Sequence, residues 1–363
     1  MDLRRVKTAV GALAALIAIA AGGPSAHGKS FEPPKGKSFH GVSETGFTRD
    51  YKSFARLTGT HSAVQQRFSH WGMPLTPALN RFHKTRTRGV LSLSTGPGGQ
   101  PEVISPLAIA QGRGDKYMLL LNKEIAKSRQ IVYIRLMAEM NGHWNAYSAF
   151  NPDGSSRGKS HSTKSFRKAW KRFSIIVKGG PRDKVNKRLQ ALDMPRLLRA
   201  KSNKDKIYKR LGVPKALPKP KVALMWVPQT RGSPDVRGNA PSDYYPGAKY
   251  VDWVGADAYA KFANSTLWNN LEAFYRKYDN HPFVIGEYGP WDADPGGAFT
   301  NAMFNWGESH NRTAMLLYYR DVNATNIFNL QHYPDALDVL RQKIASDEFI
   351  AIPAEYRGPD NGF

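Results

Sequence analysis

The 363-residue sequence predicts an α/β protein, a (β/α)8 TIM barrel, on three observations. Eight short apolar runs recur along the chain. Amphipathic stretches of helical length separate many of them. Several runs, VALMWV, IVYIRLM and AMLLYY among them, are apolar at consecutive positions rather than alternate ones. Such unbroken runs mark strands covered on both faces, as in a parallel sheet flanked by helices. A doubly wound open sheet shares the pattern, and the strand count with this length favours closure.

In chain order, residues 1–28 read as a secretory signal peptide. Arg4, Arg5 and Lys7 precede an apolar run from Ala9 to Ala21 that breaks at Gly22, Gly23 and Pro24. The run is short for a membrane span, and Ala26-His27-Gly28 fits cleavage before Lys29. A secreted or extracytoplasmic location follows as an expectation. Residues 29–37 are rich in Pro, Gly and Lys without periodicity and read as a linker. The barrel domain is expected over 38–350, with 351–363 as a C-terminal tail. Its strands are predicted at Ser38–Val42, Ala63–Ser69, Gly89–Ser94, Gln130–Met137, Val222–Val227, Tyr250–Gly255, Phe283–Gly286 and Ala314–Tyr319. Helices are predicted at Lys116–Lys127, with Asp115 as N-cap, and at Ser165–Val177, Thr266–Tyr278, Phe299–Ser309 and Pro334–Ile344.

One region breaks the rhythm. Between strands four and five, where a short loop would suffice, residues 178–221 form an insertion rich in Lys and Arg. Leu189, Leu192, Leu197 and Leu198 suggest a helix within it. Two readings stand, a solvated surface insertion and an anion-binding platform. The formal net charge of +24 favours an anionic partner, whether acidic polysaccharide, cell-wall polymer, membrane surface or nucleic acid, and charge alone does not choose among them. No specific nucleic-acid partner is expected, although a scaffold or enzyme held to cell wall or nucleic acid by its charge is a third reading, and a monomer is expected. The sequence has no Cys, which excludes disulfides, thiolate catalysis and Cys-based metal sites. Its ten His lack HExxH or comparable spacing, so neither a metal nor a cofactor is expected.

Two strands end in polar clusters. IVYIRLMAEMNGHW runs into Glu139, Asn141, His143 and Trp144, and HPFVIGEYGPW into Glu287, Tyr288 and Trp291. The C-terminal ends of barrel strands open on one face, so carboxylates there can converge. Alternation groups Arg135, Met137 and Glu139 on one face, and Phe283, Ile285 and Glu287 on another. Glycoside hydrolysis needs such a pair, one carboxylic acid to protonate the leaving oxygen and one carboxylate to attack carbon or direct water. Aromatic rings suit the apolar faces of sugars, and Trp144, Trp226, Tyr259 and Trp291 lie at or just past strand ends. Arg135 within an apolar strand needs partners, and the site carboxylates are candidates. Asp252, Asp257 and Asp292 are expected in solvated or capping roles, with substrate binding as the alternative.

RLMAEMNGHW, MWVPQ, YVDWVGADAY and PFVIGEYG, in this order, resemble glycoside hydrolase family 26, whose best-known members are endo-β-mannanases. The likeness runs from about Ser38 to Ile344. It implies Glu139 as general acid/base, Glu287 as nucleophile, Tyr259 in contact with the nucleophile and Trp144 near the cleavage point. It further implies a retaining double displacement, with the carboxyl groups roughly 5–5.5 Å apart. The substrate-binding set expected is Trp144, Tyr259, Trp226, Asn141, His143, Arg135 and Trp291. Two departures stand out. Ala138 occupies the position before the acid/base where the family usually has His, and the basic insertion is additional. The expectation is an exported hydrolase of mannan or another β-linked polysaccharide; the alternative is a carbohydrate-binding barrel that has lost catalysis.

Overall fold

The computed structural model describes residues 30–44, 51–202, 204–320 and 327–358. The signal peptide expected at 1–28 lies outside the described residues. All eight anticipated strands are present: β1 Ser38–Glu44, β2 Val64–His70, β3 Arg88–Ser94, β4 Val132–Leu136, β5 Val222–Trp226, β6 Trp253–Tyr259, β7 Phe283–Gly289 and β8 Thr313–Tyr318. Each runs parallel to its neighbours in chain order, and β8 closes on β1 with Phe39 opposite Met315 and Val42 opposite Tyr318. The result is a closed eight-stranded parallel barrel, as the apolar runs predict.

Strand alternation divides the core into two layers. Phe39, Val64, Val90, Tyr133, Met225, Trp253, Val284 and Met315 fill the barrel interior. Val42, Leu91, Ile134, Leu224, Val254, Ile285 and Leu316 face outward against helix residues such as Met118, Phe173, Phe274 and Leu340. Two strands, β6 and β7, depart most from the expected bounds. Tyr250 belongs to a 3-10 turn at Ala248–Tyr250, and β6 starts at Trp253, after Asp252 has accepted the Leu224 amide at 2.8 Å and Lys178 Nζ at 2.7 Å. It then runs on to Tyr259, placing Asp257 and Tyr259 in the barrel wall. Likewise β7 runs past Gly286 to Gly289.

The helices follow their caps. Ser162 accepts the Ser165 amide to start Thr163–Val177, and Asn264 accepts the Leu267 amide to start Ser265–Lys277. Asp115 is not the N-cap of Asp115–Ser128. Gly114 holds that place, and the fully buried Asp115 carboxylate pairs with Arg172 at 2.7 and 2.5 Å and accepts the Leu198 amide at 2.6 Å.

The barrel end opposite the β-strand C-termini is closed by chain from both termini. Residues 30–37 carry neither helix nor strand, but they are no free tether. The carbonyl of Phe31 accepts from Tyr133 Oη at 2.6 Å and Arg88 Nη1 at 2.7 Å, and that of Ser30 accepts from Trp253 Nε1 at 2.7 Å. Those donors project from the barrel interior and need acceptors when buried. From the tail, Glu355 binds Arg88 Nε at 2.7 Å and Nη2 at 3.0 Å.

The insertion is an ordered outer layer. Gly180–Pro181 pairs with Ala216–Leu217, and between them lie the helices Arg182–Gln190 and Asp205–Arg210. Val185, Leu189, Met194, Leu197, Tyr208 and Val213 are buried in the same core as the barrel helices. The reading of 178–221 as a merely solvated insertion is therefore corrected: its apolar positions continue the core, and only its charged face meets water.

Candidate active site

Glu139 stands at the mouth because the chain turns sharply after β4. Met137 and Glu139 both have positive φ, 44° and 50°, a conformation that costs energy in non-Gly residues and marks strained functional turns. The Met137 amide still bonds to the Leu93 carbonyl at 2.8 Å and the Glu139 amide to that of Val227 at 2.7 Å. The turn breaks the alternation expected through this segment. Met137 packs in the outer layer while Ala138 turns into the barrel interior, so Glu139 reaches the mouth by a backbone reversal rather than by strand parity.

Glu287 arrives differently. On β7, Val284 faces inward and Ile285 outward, and Gly286 takes the next inward place. A register shift follows: Ala256 pairs with Ile285, but the next pair is Asp257 with Glu287. This bulge leaves Glu287 inside, beside Gly286, instead of on the outer face shared by Phe283 and Ile285. The parity argument for Glu287 is corrected accordingly. Gly286 is required for close approach. A Cβ there would lie 2.7 Å from Asp257 Oδ1, 2.9 Å from Val227 Cγ1 and 3.1 Å from Arg135 Nε.

Around the two glutamates the side chains form one network. Glu287, 7% exposed, accepts from Tyr259 Oη at 2.5 Å, from Arg135 Nη1, and weakly from Gln66 Nε2 at 3.4 Å. Arg135 Nη2 bonds to Asp257, so a single buried guanidinium joins both carboxylates. Glu139 is half-buried and accepts from Trp144 Nε1 at 2.9 Å and from Gln229 Nε2. The fields of Glu139, Glu287 and Asp257 all act on Arg135 and on Tyr259.

Burial sets the electrostatics. It raises the Glu287 carboxyl above the ordinary range, with Arg135 pulling the other way and the charge of Glu139 adding to the rise. Asp257 is raised well above its ordinary value, by burial first, against the pull of Arg135 and with the help of Glu287 and Glu139. Burial would discharge Arg135, but Asp257 and Glu287 more than offset it and hold it cationic. Tyr259 is pushed well up by burial and then by Glu287, so it serves as a neutral donor.

The site residues expected from sequence divide into three groups. Glu139, Glu287, Tyr259 and Trp144 meet at the mouth, with the Trp144 ring 52% exposed. Trp291 packs edge-on to Tyr259, centroids 5.0 Å apart, and His143 holds the rim by packing on Trp144 at 5.2 Å and approaching the Ser233 carbonyl at 3.3 Å. Three substrate-contact assignments are corrected. Trp226 is fully buried on the outer face of β5, against Phe274, Tyr245 and Tyr278, because even-numbered positions of that strand face the helices. Asn141 is also fully buried; its amide exchanges 2.9 Å bonds with the backbone of Gln229 and so aims that side chain at Glu139. Arg135 lies beneath the carboxylates at 2% exposure, out of reach of a substrate.

Three residues of the network were not among those expected. Asp257 shares parity with Tyr259 in GADAY and would have been found had β6 been carried to its true end. Gln229 follows β5 in MWVPQ, and Gln66 sits inside β2, a strand whose sequence VQQRFSH offers little signal. Among the described residues, no group of three or more His, Cys, Asp or Glu could hold a metal ion. Such an arrangement can donate a proton from one side of a bound bond and present a carboxylate from the other.

Residues 206–285 match the family model described as Glycosyl hydrolase family 26. That stretch runs from the insertion through β5 and β6 to Ile285, so neither Glu139 nor Glu287 falls within it. Over 82 residues, 22% of this chain, the sequence is 40% identical to a mannan endo-1,4-beta-mannosidase of Bacillus subtilis, and the match spans 20% of that relative. Among solved structures, GH26A from Muricauda sp. superposes with a TM-score of 0.52 at 16% identity, covering 87% of this chain and 92% of that one. A Bacillus subtilis mannanase superposes with a TM-score of 0.51 at 16% identity, covering 90% of each. At these identities the structural likeness concerns the fold.

Proposed function

We infer that this divergent relative of glycosyl hydrolase family 26 is a glycoside hydrolase that cleaves a β-linked, mannan-like polysaccharide with retention at the anomeric carbon. The partial family match supports the class of reaction. One observation carries the assignment of roles: the two glutamates share a mouth but are held by different kinds of donor. Glu287 is buried and gripped by a cation and a phenol, Arg135 and Tyr259. Glu139 is half-buried and held by the neutral donors Trp144 and Gln229.

In this reading Glu139 protonates the glycosidic oxygen as Glu287 attacks the anomeric carbon, giving a glycosyl ester and a free leaving-group hydroxyl. Glu139, now a carboxylate, takes a proton from water, which attacks the ester and releases the sugar with its original configuration. Arg135 and Tyr259 oppose the rise that burial imposes on the Glu287 carboxyl and keep it aimed, and Trp144 offers a ring face beside the bond to be cleaved. Ala138 brings no hydrogen bond to the sugar, so recognition of the glycan falls to other rim residues. Export to an extracytoplasmic setting belongs to the same proposal; finding the native protein confined to the cytosol would remove that part.

A time-resolved NMR assay of the first product anomer tests the mechanism. The β-anomer is expected first. Initial release of the α-anomer would overturn the double displacement while leaving hydrolysis itself intact.

A further inference from the structure

Half of the formal charge excess resides in one place. Residues 178–221 hold fifteen Lys or Arg against Asp183, Asp193 and Asp205. Some of these cations are structural. Arg182 is buried, stacks on Tyr208 at 4.4 Å from the ring centroid and pairs with Asp205; Lys178 pairs with Asp252. Asn186 Nδ2 bonds to Tyr208 Oη at 3.0 Å, which with the Arg182 contacts fastens the helices Arg182–Gln190 and Asp205–Arg210 side by side. Their outer surfaces then present Lys184, Lys187 and Arg188 beside Lys206, Lys209 and Arg210. All six are exposed, and none has an ion-pair partner among the described residues.

The helix on which this layer packs, Thr163–Val177, repeats the imbalance with Lys164, Arg167, Lys168 and Lys171 at helical spacing and no acid on it. Its cations oppose one another: Lys171 is lowered, first by partial burial and then by the charges of Arg167, Lys249 and Lys168. Like charges at this spacing destabilise a helix. A fold that keeps an ordered, uncompensated cationic face leaves its counter-charge to come from outside.

We propose that the face formed by helices Arg182–Gln190 and Asp205–Arg210 is a docking surface for a carboxylated polysaccharide, a glycan chain bearing repeated uronate groups. Three features select this occupant. The face is mainly Lys, whose hydrated point charges suit anionic groups spaced along a polymer, whereas the planar grip on a single carboxylate or phosphate favours the Arg fork. It has no exposed aromatic ring, the platform on which single-stranded nucleic acid stacks its bases. The insertion also joins the barrel at the end away from Glu139 and Glu287, where Asn122 ties the Val177 and Pro218 carbonyls at 2.9 Å each, so docking leaves the cleft free. The role adds to the hydrolase reading and does not depend on it.

The test is affinity electrophoresis of the full chain through gels containing polygalacturonate. Wild type should be retarded at low salt and released at high salt. The variant carrying K184Q, K187Q, R188Q, K206Q, K209Q and R210Q should bind about tenfold or more weakly, with an unchanged melting temperature. Its turnover of short neutral mannooligosaccharides, where the wild type shows any, should be unaffected. A control with K35Q, K84Q and K277Q should bind like wild type, against the triple K184Q/K187Q/R188Q. Equal retardation of the sixfold variant and wild type, or equal loss in the control triple, would overturn the proposal. Tighter retention on single-stranded DNA than on polygalacturonate through the same six residues would overturn the choice of partner. Absence of hydrolysis by the wild type and the variants alike would sink the enzymatic reading alone.

Discussion

In the proposed mechanism the chemistry turns on Glu287, and its surroundings make its behaviour measurable. Glu287→Ala should abolish turnover while the circular dichroism spectrum keeps the folded shape, and added azide should restore bond cleavage, giving an α-glycosyl azide, by entering the vacated space. Undiminished hydrolysis by the variant would reject the assignment. The pH response has a defined sign. Attack needs Glu287 ionised, and burial raises its pKa, so kcat/KM should fall as pH drops, with the acid limb above the ordinary glutamate range. Stability runs the other way. Asp257 and Glu287 hold their protons in the folded protein to higher pH than in the unfolded chain. Between the ordinary carboxylate range and those raised values, stability should therefore decrease as pH rises. Asp257→Asn removes one such group and one neighbouring charge from Glu287, so a plot of melting temperature against pH should be flatter in that variant.

At the scale of elements, the site depends on two departures from regular strand geometry, the bulge in β7 and the positive-φ turn after β4. Gly286→Ala would force Cβ against Asp257 and Val227. Overpacking of this kind costs about 1–3 kcal/mol, and displacement of Arg135 should lower kcat far more than it changes KM; a fully active variant would show that the bulge does not hold the site. The Arg172–Asp115 pair joins two barrel helices to the insertion, with both side chains at 0% exposure. Removing one member of such a pair costs roughly 3–5 kcal/mol, so Arg172→Ala should shift urea unfolding by about that amount. A double replacement by apolar residues of similar volume should recover much of the loss.

For the whole molecule, the barrel core and the insertion act as one body. Tyr208, Leu197 and Leu189 are fully buried parts of the main core. Replacing residues 182–215 by a short Gly/Ser loop should therefore lower the melting temperature sharply or yield insoluble protein; a soluble variant of normal stability would make the insertion an appendage. The barrel itself was legible because each strand, VALMW or TAMLLY, carries its burial pattern locally. The catalytic candidates Glu139 and Glu287 were legible because each follows such a run. Arg135 was legible only as a cation in need of partners. One of its partners, Glu287, was among the carboxylates expected for it, and the other, Asp257, was hidden by a strand end placed four residues early. Trp226 was misread because the direction of a side chain in an unbroken apolar run cannot be taken from the run itself.

Local pattern thus determined the eight strands, the closing helices, the two polar strand ends and the basic excess between strands four and five, since each depends on residues within a few positions of one another. Tertiary structure decided which way the glutamates face, by a bulge at Gly286 and a left-handed turn through Met137 and Glu139. It also decided that Asn141 and Arg135 support the site from below. Those outcomes arise where strands distant in sequence meet, and the energy of a backbone reversal or a buried guanidinium is balanced only by neighbours that the linear order does not reveal.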